Sequence, residues 1–439
     1  MRVSWVLPTV LVTIVLLIVL ATLPPPNVTI TSSPSSRSTE YVLVGGQNGT
    51  WFQPGQTPRL SKIFLANYSV SHLVPVSGEG TIWGGGWNGS QWLISGFGVD
   101  PGPQGSNPYI YLYNGEKQIV AGSLDQYPSE SSWHGGDIFA ASYNGREWLL
   151  SGLGSDSLLT YSDTPINHLS FATFNGYNFT DLSAMVPLQG DAILYANAWN
   201  GKYWLVGGGF ERVGELFTFD GSKVVDLTPD IEQAIPFFGS VQSIGWNGQY
   251  WLIGGFGFLA KYNGHQYVDL SNKLEAALNP QNMCCVGGEL NVNAIAWNGS
   301  AWMLAGGAPI AQLLPNNAWA VTYTSAGFVN LSPSIQTHLM SGQNSSLLTA
   351  AFLNDSWWIL GGYSSKHGLL LLYRDGTVVD LSRLVDDMSY VTWIGTGSFV
   401  QPKVPAVKSS SEITDQFNVL SVILDLNSAK TDSPCKFDL

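Results

Sequence analysis

Trp246-Asn247-Gly248-Gln249-Tyr250-Trp251-Leu252-Ile253-Gly254-Gly255 is the stretch whose reading decides the fold. Related copies begin at Trp87, Tyr143, Trp199, Trp246, Trp297 and, degraded, Leu353. A Trp stands five residues on in each: Trp92, Trp148, Trp204, Trp251, Trp302 and Trp358. Four residues later comes a Gly: Gly96, Gly152, Gly208, Gly255, Gly306 and Gly362. Tyr41-Val42-Leu43-Val44-Gly45-Gly46 is a seventh, related stretch. From Gly46 onward the intervals between these glycines are 50, 56, 56, 47, 51 and 56 residues. A period near 50 that is rich in strand formers signals a β-propeller.

Working outward from Trp246, one copy reads as four strands. Strand a is Val241 to Trp246, b is Tyr250 to Gly255, c is Phe258 to Tyr262 and d is Gln266 to Leu270. Asn247-Gly248 joins a to b and predicts a type I′ turn, in which both central residues take positive φ. Asn263-Gly264 joins c to d, and Asn114-Gly115, Asn175-Gly176, Asp220-Gly221 and Asp375-Gly376 repeat that turn. Strand d ends in Asp269-Leu270-Ser271, and equivalents end at Ser183, Thr228, Ser332 and Ser382. The Asp of this triplet is expected to accept from backbone N–H groups where the chain leaves the sheet. The strand-b glycines are expected where backbones approach closely. Trp246 and Trp251 should meet across the hairpin and pack between blades.

The first copy lacks a strand a. It offers b at Tyr41 to Gly46, c near Ile63 to Tyr68 and d near His72 to Val76. Tyr390 to Gly395 reads as the missing strand a, so the C-terminal strand should join the N-terminal blade and shut the ring. Closure removes free sheet edges. The expected fold is therefore all-β: a seven-bladed propeller of four-stranded antiparallel blades over residues 40–400, with an extension over 401–439.

The unit resembles the repeats of kelch and galactose-oxidase-like propellers, which carry a Gly-Gly pair ending a strand and aromatics at fixed offsets. It also resembles the Asp-box repeat of sialidase-like propellers, but departs from the pattern Ser-x-Asp-x-Gly-x-x-Trp by having Asn before the Gly and no Ser or Asp. The resemblance implies fold only.

The N-terminus bears on compartment. Arg2 precedes an apolar run from Trp5 to Leu23. Nineteen helical residues span about 28 Å, near the thickness of a bilayer core. The run is longer than a signal-peptide apolar region and ends in Pro24-Pro25-Pro26 without an Ala-x-Ala site. Residues 1–24 are expected to be an uncleaved transmembrane anchor, with secretion the outcome if they are cut. The positive end stays inside, which displays the rest outside the cell. Residues 25–39 read as a Ser/Thr/Pro-rich stalk. An exported chain suits the glycosylation sequons at Asn27, Asn48, Asn67, Asn88, Asn178, Asn298, Asn330, Asn344 and Asn354. Cys284, Cys285 and Cys435 allow one disulfide that would pin the tail to the body, or three free thiols.

The net charge of −13, with 18 basic residues spread singly, leaves no stripe to neutralise phosphates and argues against nucleic-acid binding. The strands a, which line a propeller's channel, are nearly uncharged. Asp137 is their one acid, so no pair of carboxylates is expected there for acid–base work. Small residues recur at one level: Gly84, Ala140, Ala196, Ser243, Ala294 and Ala350. No cofactor is expected. Asp125, Glu130, His134 and Asp137 fall within one loop and could hold a divalent cation, or could be a solvated acidic loop. The long connections Asn272 to Asn293, Val99 to Tyr109 and Pro309 to Trp319 are candidate binding loops. The expected function is a binding or cell-envelope interaction module whose partners are envelope proteins or surface glycans. Two other readings stay open: an extracellular carbohydrate-active hydrolase or lyase, and an envelope assembly factor.

Overall fold

Alternating apolar runs punctuated by Asn-Gly give short antiparallel strands, and in the computed structural model these form seven four-stranded sheets. The structure describes residues 41–49, 56–73, 79–99, 106–115, 118–123, 136–154, 171–186, 193–210, 213–278, 290–307, 318–339, 344–353 and 357–396. The expected anchor, stalk and C-terminal extension lie outside these residues, as do Cys284, Cys285, Cys435, Asn27 and Asn354. Among the described residues no helix is long and apolar enough to cross a membrane.

Every sheet runs a-b-c-d. Blade 2 is Glu79–Trp87, Trp92–Val99, Ser106–Tyr113 and Gln118–Ser123, and blade 3 is Gly136–Tyr143, Trp148–Gly154, Phe171–Phe174 and Phe179–Asp181. Blade 4 is Ile193–Trp199, Trp204–Phe210, Val213–Phe219 and Val224–Asp226. Blade 5 is Val241–Trp246, Trp251–Gly255, Phe258–Tyr262 and Tyr267–Asp269. Blade 6 is Val292–Trp297, Trp302–Gly306, Trp319–Thr324 and Gly327–Asn330, and blade 7 is Ser345–Phe352, Trp358–Ser364, His367–Arg374 and Thr377–Asp380. Blade 1 takes strand a from Tyr390–Thr396 and the rest from Tyr41–Asn48, Thr57–Phe64 and Ser69–Leu73. Leu43 pairs with Gly395 and Val44 with Ile394, which closes the ring.

The core lies between blades. The strand-b Trp of each of blades 2 to 7 is buried. Trp246 and Trp251 are register partners with ring centroids 4.8 Å apart. Equivalent pairs sit at 5.2 Å (Trp87–Trp92), 4.5 Å (Trp199–Trp204) and 4.9 Å (Trp297–Trp302). Two strand-b Trp residues also bond to the preceding blade: the Trp302 indole N–H donates to Tyr250 Oη (3.0 Å), and that of Trp148 to Gly86 O (3.3 Å). In blade 7 the partner of Trp358 is Phe352, with Leu353 one place into the turn. That turn is one residue longer, closing through Leu353 N–H to Trp357 O, so counting back from Trp358 misplaces the aromatic.

The Asn-Gly turns differ from the type I′ expectation. In the a–b turn of blade 5 only Gly248 has positive φ; Asn247 does not. The Asn247 side-chain oxygen accepts from the N–H groups of Gln249 and Tyr250 (2.9 and 2.8 Å), an Asx arrangement that holds Asn on the ordinary side of φ. Asn88, Asn144, Asn200 and Asn298 repeat it. Asp375-Gly376 does have two positive φ values, 47° and 85°, and it alone among these dipeptides is a two-residue turn of the expected type among the described residues.

Strand d ends in a repeated clip. In blade 5, Ser271 N–H donates to Asp269 Oδ1 (2.8 Å), Leu270 N–H to Leu259 O (2.8 Å), and Leu259 N–H to Ser271 Oγ (3.0 Å). Blades 4, 6 and 7 repeat all three bonds through Thr228, Ser332 and Ser382. The Asp of the triplet is thus structural, as expected. The clip turns the chain into a short helix, Thr228–Ala234 in blade 4 and Ser271–Leu278 in blade 5, so the connection to blade 6 starts as helix. Ser271 is buried, and Ser271→Ala strands the Leu259 N–H. Urea unfolding should show a loss of about 1–2 kcal/mol; an unchanged midpoint and slope would show that the hydroxyl bond adds nothing.

Candidate functional site

Each strand a carries a β-bulge, and the bulges position the site. Blade 5 pairs Val241 with Gly255 and Ser243 with Gly254, which leaves Gln242 unpaired. The same skip leaves out Trp83 in blade 2, Phe139 in blade 3, Asn293 in blade 6, Leu348 in blade 7 and Thr392 in blade 1. In blade 4 it leaves Leu194 and Tyr195. The cause is the second strand-b glycine. A Cβ on Gly255 would lie 2.0 Å from Ser240 O; on Gly208, 1.9 Å from Ile193 O; on Gly362, 2.0 Å from Ser346 O. Only glycine lets the bulged backbone come that close.

The bulge residues form one tier around the inner strands, with a distinct chemistry on each side. Trp83, Phe139 and Tyr195, from successive blades, are half-buried and touch in series: centroids are 5.0 Å apart for Trp83–Phe139 and 5.2 Å for Phe139–Tyr195. Trp83 and Leu348 both pack against the Tyr363–Tyr390 pair. The remaining side is amide and hydroxyl. Gln242 Nε2 donates to Ser240 Oγ (3.0 Å), Asn291 Nδ2 to Asn293 Oδ1 (2.8 Å), and Asn293 Nδ2 to Ser346 Oγ (3.0 Å) and Leu347 O (2.9 Å). Thr392 Oγ1 donates to Gly45 O. Strand a starts where d ends and b ends, so this tier lies near the face that carries the d–a and b–c connections.

Two residues before each bulge lies a buried tier: Tyr390, Thr81, Asp137, Ile193, Ser240, Asn291 and Ser346. Asp137 is 5% exposed, and burial pushes its carboxyl up to about 7. Tyr195 is raised too, first by burial and then by the Asp137 charge, which places the carboxylate beside the aromatic strip. Burial is the one cause of the raised Asp137 value, with no hydrogen bond to offset it, and Asn291 Oδ1 is buried without a partner in the same tier. Both are acceptors.

Of the expected metal set, Asp137 is described, while Asp125, Glu130 and His134 lie outside the described residues. Among the described residues no three His, Cys, Asp or Glu side chains group to hold a metal. Strand a of blade 2 begins at Glu79, a second acid that sequence reading left out, but the residue at the level of Asp137 in that blade is Thr81. The small-residue level is observed at Gly84, Ala140, Ala196, Ser243 and Ala294, but in blade 7 the residue opposite the first glycine is Thr349 rather than Ala350. Of the expected loop Val99 to Tyr109, Val99 ends strand b and strand c starts at Ser106, with Pro108 paired to Phe97, while residues 100–105 lie outside the described residues. Residues 308–317 of the expected loop Pro309 to Trp319 lie outside the described residues.

Asn88 and Asn298 sit on a–b turns, where their oxygens make the bonds to the turn. Asn330 is different: it stands in the clip, its oxygen accepting from Ser332 N–H and its nitrogen donating to Ala277 O (3.2 Å).

No protein-family model matches the chain, and no curated protein is similar to it in sequence. Solved structures share its fold. A candidate 6-phosphogluconolactonase from Bacteroides uniformis is 9% identical, with 81% of this chain and 99% of that one covered and a TM-score of 0.48. The β-propeller domain of the Trilobed protease from Pyrococcus furiosus is 10% identical, covering 78% of this chain and 92% of that one, TM-score 0.43. Acylaminoacyl peptidase from Pyrococcus horikoshii is 10% identical, covering 80% of this chain and 52% of that one, TM-score 0.41. At this level of likeness nothing about activity passes to this chain.

Proposed function

We propose that the chain is a binding module whose ligand site is the bulge tier at the inner strands, displayed outside the cell on the anchor that residues 1–24 form. The observation that carries this reading is the tier itself. The turns, the strand-b Trp and the strand-d clip repeat from blade to blade, whereas the seven bulge positions hold seven different residues: Thr392, Trp83, Phe139, Tyr195, Gln242, Asn293 and Leu348. Architecture needs repetition; a ligand needs a particular set of groups. The partner is an envelope protein or a surface glycan. The apolar run Trp5 to Leu23 and the sequons support display outside the cell.

The test uses full-length protein in detergent, immobilised and exposed to solubilised envelope. A partner retained by the wild type and lost with Trp83→Ala supports the reading. Retention that is equal in both, or absent from both, counts against it.

The hydrolase or lyase reading is favoured by one observation, the Asp137 carboxyl held near neutral, the range of a general acid. It requires glycan cleavage that Asp137→Asn abolishes.

A further inference from the structure

The bulge tier pairs an aromatic strip with a buried carboxylate, and that combination selects a class of ligand. The inference rests on the binding reading above. We propose that Trp83, Phe139, Tyr195 and Asp137 form a receptor for a small organic ammonium ion.

Three observations support it. Three half-buried aromatic rings from three successive blades run in unbroken contact, at 5.0 and 5.2 Å between centroids. Ring faces attract cations, most strongly where water is excluded. Asp137 lies two residues before Phe139 on the same strand and close enough to Tyr195 for its charge to be felt there. The carboxylate is 5% exposed and no hydrogen bond offsets the effect of its burial, whereas the polar side of the tier is knitted together by its own bonds.

A divalent metal fits this set poorly. Calcium takes six to eight oxygens and magnesium near-octahedral oxygen ligation. Here one carboxylate is flanked by ring faces. A carbohydrate without a cationic group would use the rings but gains nothing from a buried carboxylate. An ammonium ion uses both, and the net charge of −13 favours a cation's approach.

Binding should depend on pH, because the cation pairs with the ionised carboxylate. The strands packed on strand a of blade 3 bring Tyr195 from blade 4, and Tyr111 and Tyr113 from strand c of blade 2. Tyrosines stay neutral below pH 8. Strand a of blade 2 adds Glu79 at its start, and the two strands b carry no titratable group. Among the described side chains Asp137 is the acid that sets the profile, and its raised value puts the change near neutrality.

Full-length protein in detergent is titrated calorimetrically with choline and n-butylammonium, and with 3,3-dimethylbutan-1-ol, the neutral isostere of choline. Saturable binding of at least one cation at pH 8, none of the isostere, and affinity about 100-fold weaker at pH 5 is the expected pattern. Asp137→Asn, checked for folding by its melting transition, should lower the affinity at least ten-fold at pH 8, and Phe139→Leu several-fold. Neither cation binding, or the isostere binding equally, or folded Asp137→Asn binding as the wild type does, would overturn the proposal. A partner captured from envelope with neither cation bound would remove this inference and leave the binding reading standing.

Discussion

Asp137→Asn should make the protein more stable at pH 8, by up to about 4 kcal/mol. The wild-type carboxyl is raised from 3.8 to about 7 by burial. Every tenfold change in proton affinity is worth about 1.4 kcal/mol. The sign follows from proton linkage. The folded state holds this proton more tightly than the unfolded state does. Its contribution to stability is therefore fully present below the unfolded value near 4, and is lost as pH rises through the folded value near 7. Asparagine resembles the protonated carboxyl in shape and carries no charge. Variant and wild type should unfold at nearly the same denaturant concentration at pH 4. The gap should widen by about 1.4 kcal/mol per pH unit up to pH 7 and then level off. Taking the difference between the two proteins cancels every other titrating group. A difference that is constant with pH, or a less stable variant at pH 8, would show that the carboxylate is solvated or paired. A substitution that strengthens the fold and removes ligand binding is the pattern expected of a functional site, where local stability is given up for a chemical group.

Gly208→Ala should be strongly destabilising. The added Cβ would lie 1.9 Å from Ile193 O, 2.8 Å from its carbonyl carbon and 2.8 Å from Leu194 Cα. All three are backbone, so no side chain can swing away. Strand a of blade 4 must move, and with it the bulge that presents Tyr195 and the pairing of Ile193 with Gly209. Overpacking of this kind costs about 3 kcal/mol or more. Gly248→Ala is the control: Gly248 has φ +92° but nothing within 4 Å of its Cβ. Its cost is conformational alone, about 1–2 kcal/mol. Equal losses for the two would mean that backbone conformation, and not the close approach to strand a, explains the glycines of strand b.

What the sequence disclosed follows from what repeats. The Trp246–Trp251 pairing, the Asp269-Leu270-Ser271 clip and the closing strand at Tyr390 recur or complete a count, and all three stand in the structure. Geometry that depends on one blade was harder to read. Phe352 displaces Leu353 as the partner of Trp358 because one turn is a residue longer. The Asn-Gly turns depart from type I′ because a side-chain oxygen takes the N–H groups that the turn would otherwise leave open.

The bulge tier was invisible for a different reason. A bulge is fixed by contact between Gly208 and Ile193 O, or Gly255 and Ser240 O, across strands, and no local pattern encodes it. One signal did exist. In blades 2 to 6 the residue just before the small residue, such as Trp83 before Gly84 or Phe139 before Ala140, changes chemistry from blade to blade while the turns and strand-b Trp residues repeat. In a repeat protein the position that refuses to repeat is the one to examine.

The most direct measurement is the titration of the Asp137 carboxyl itself, by carbon-detected NMR of aspartate-labelled protein assigned against Asp137→Asn. The expected midpoint is about 7 without ligand, falling when choline or n-butylammonium is added because the cation favours the ionised form. A midpoint near 4 that neither cation moves would contradict both the buried site and its proposed ligand.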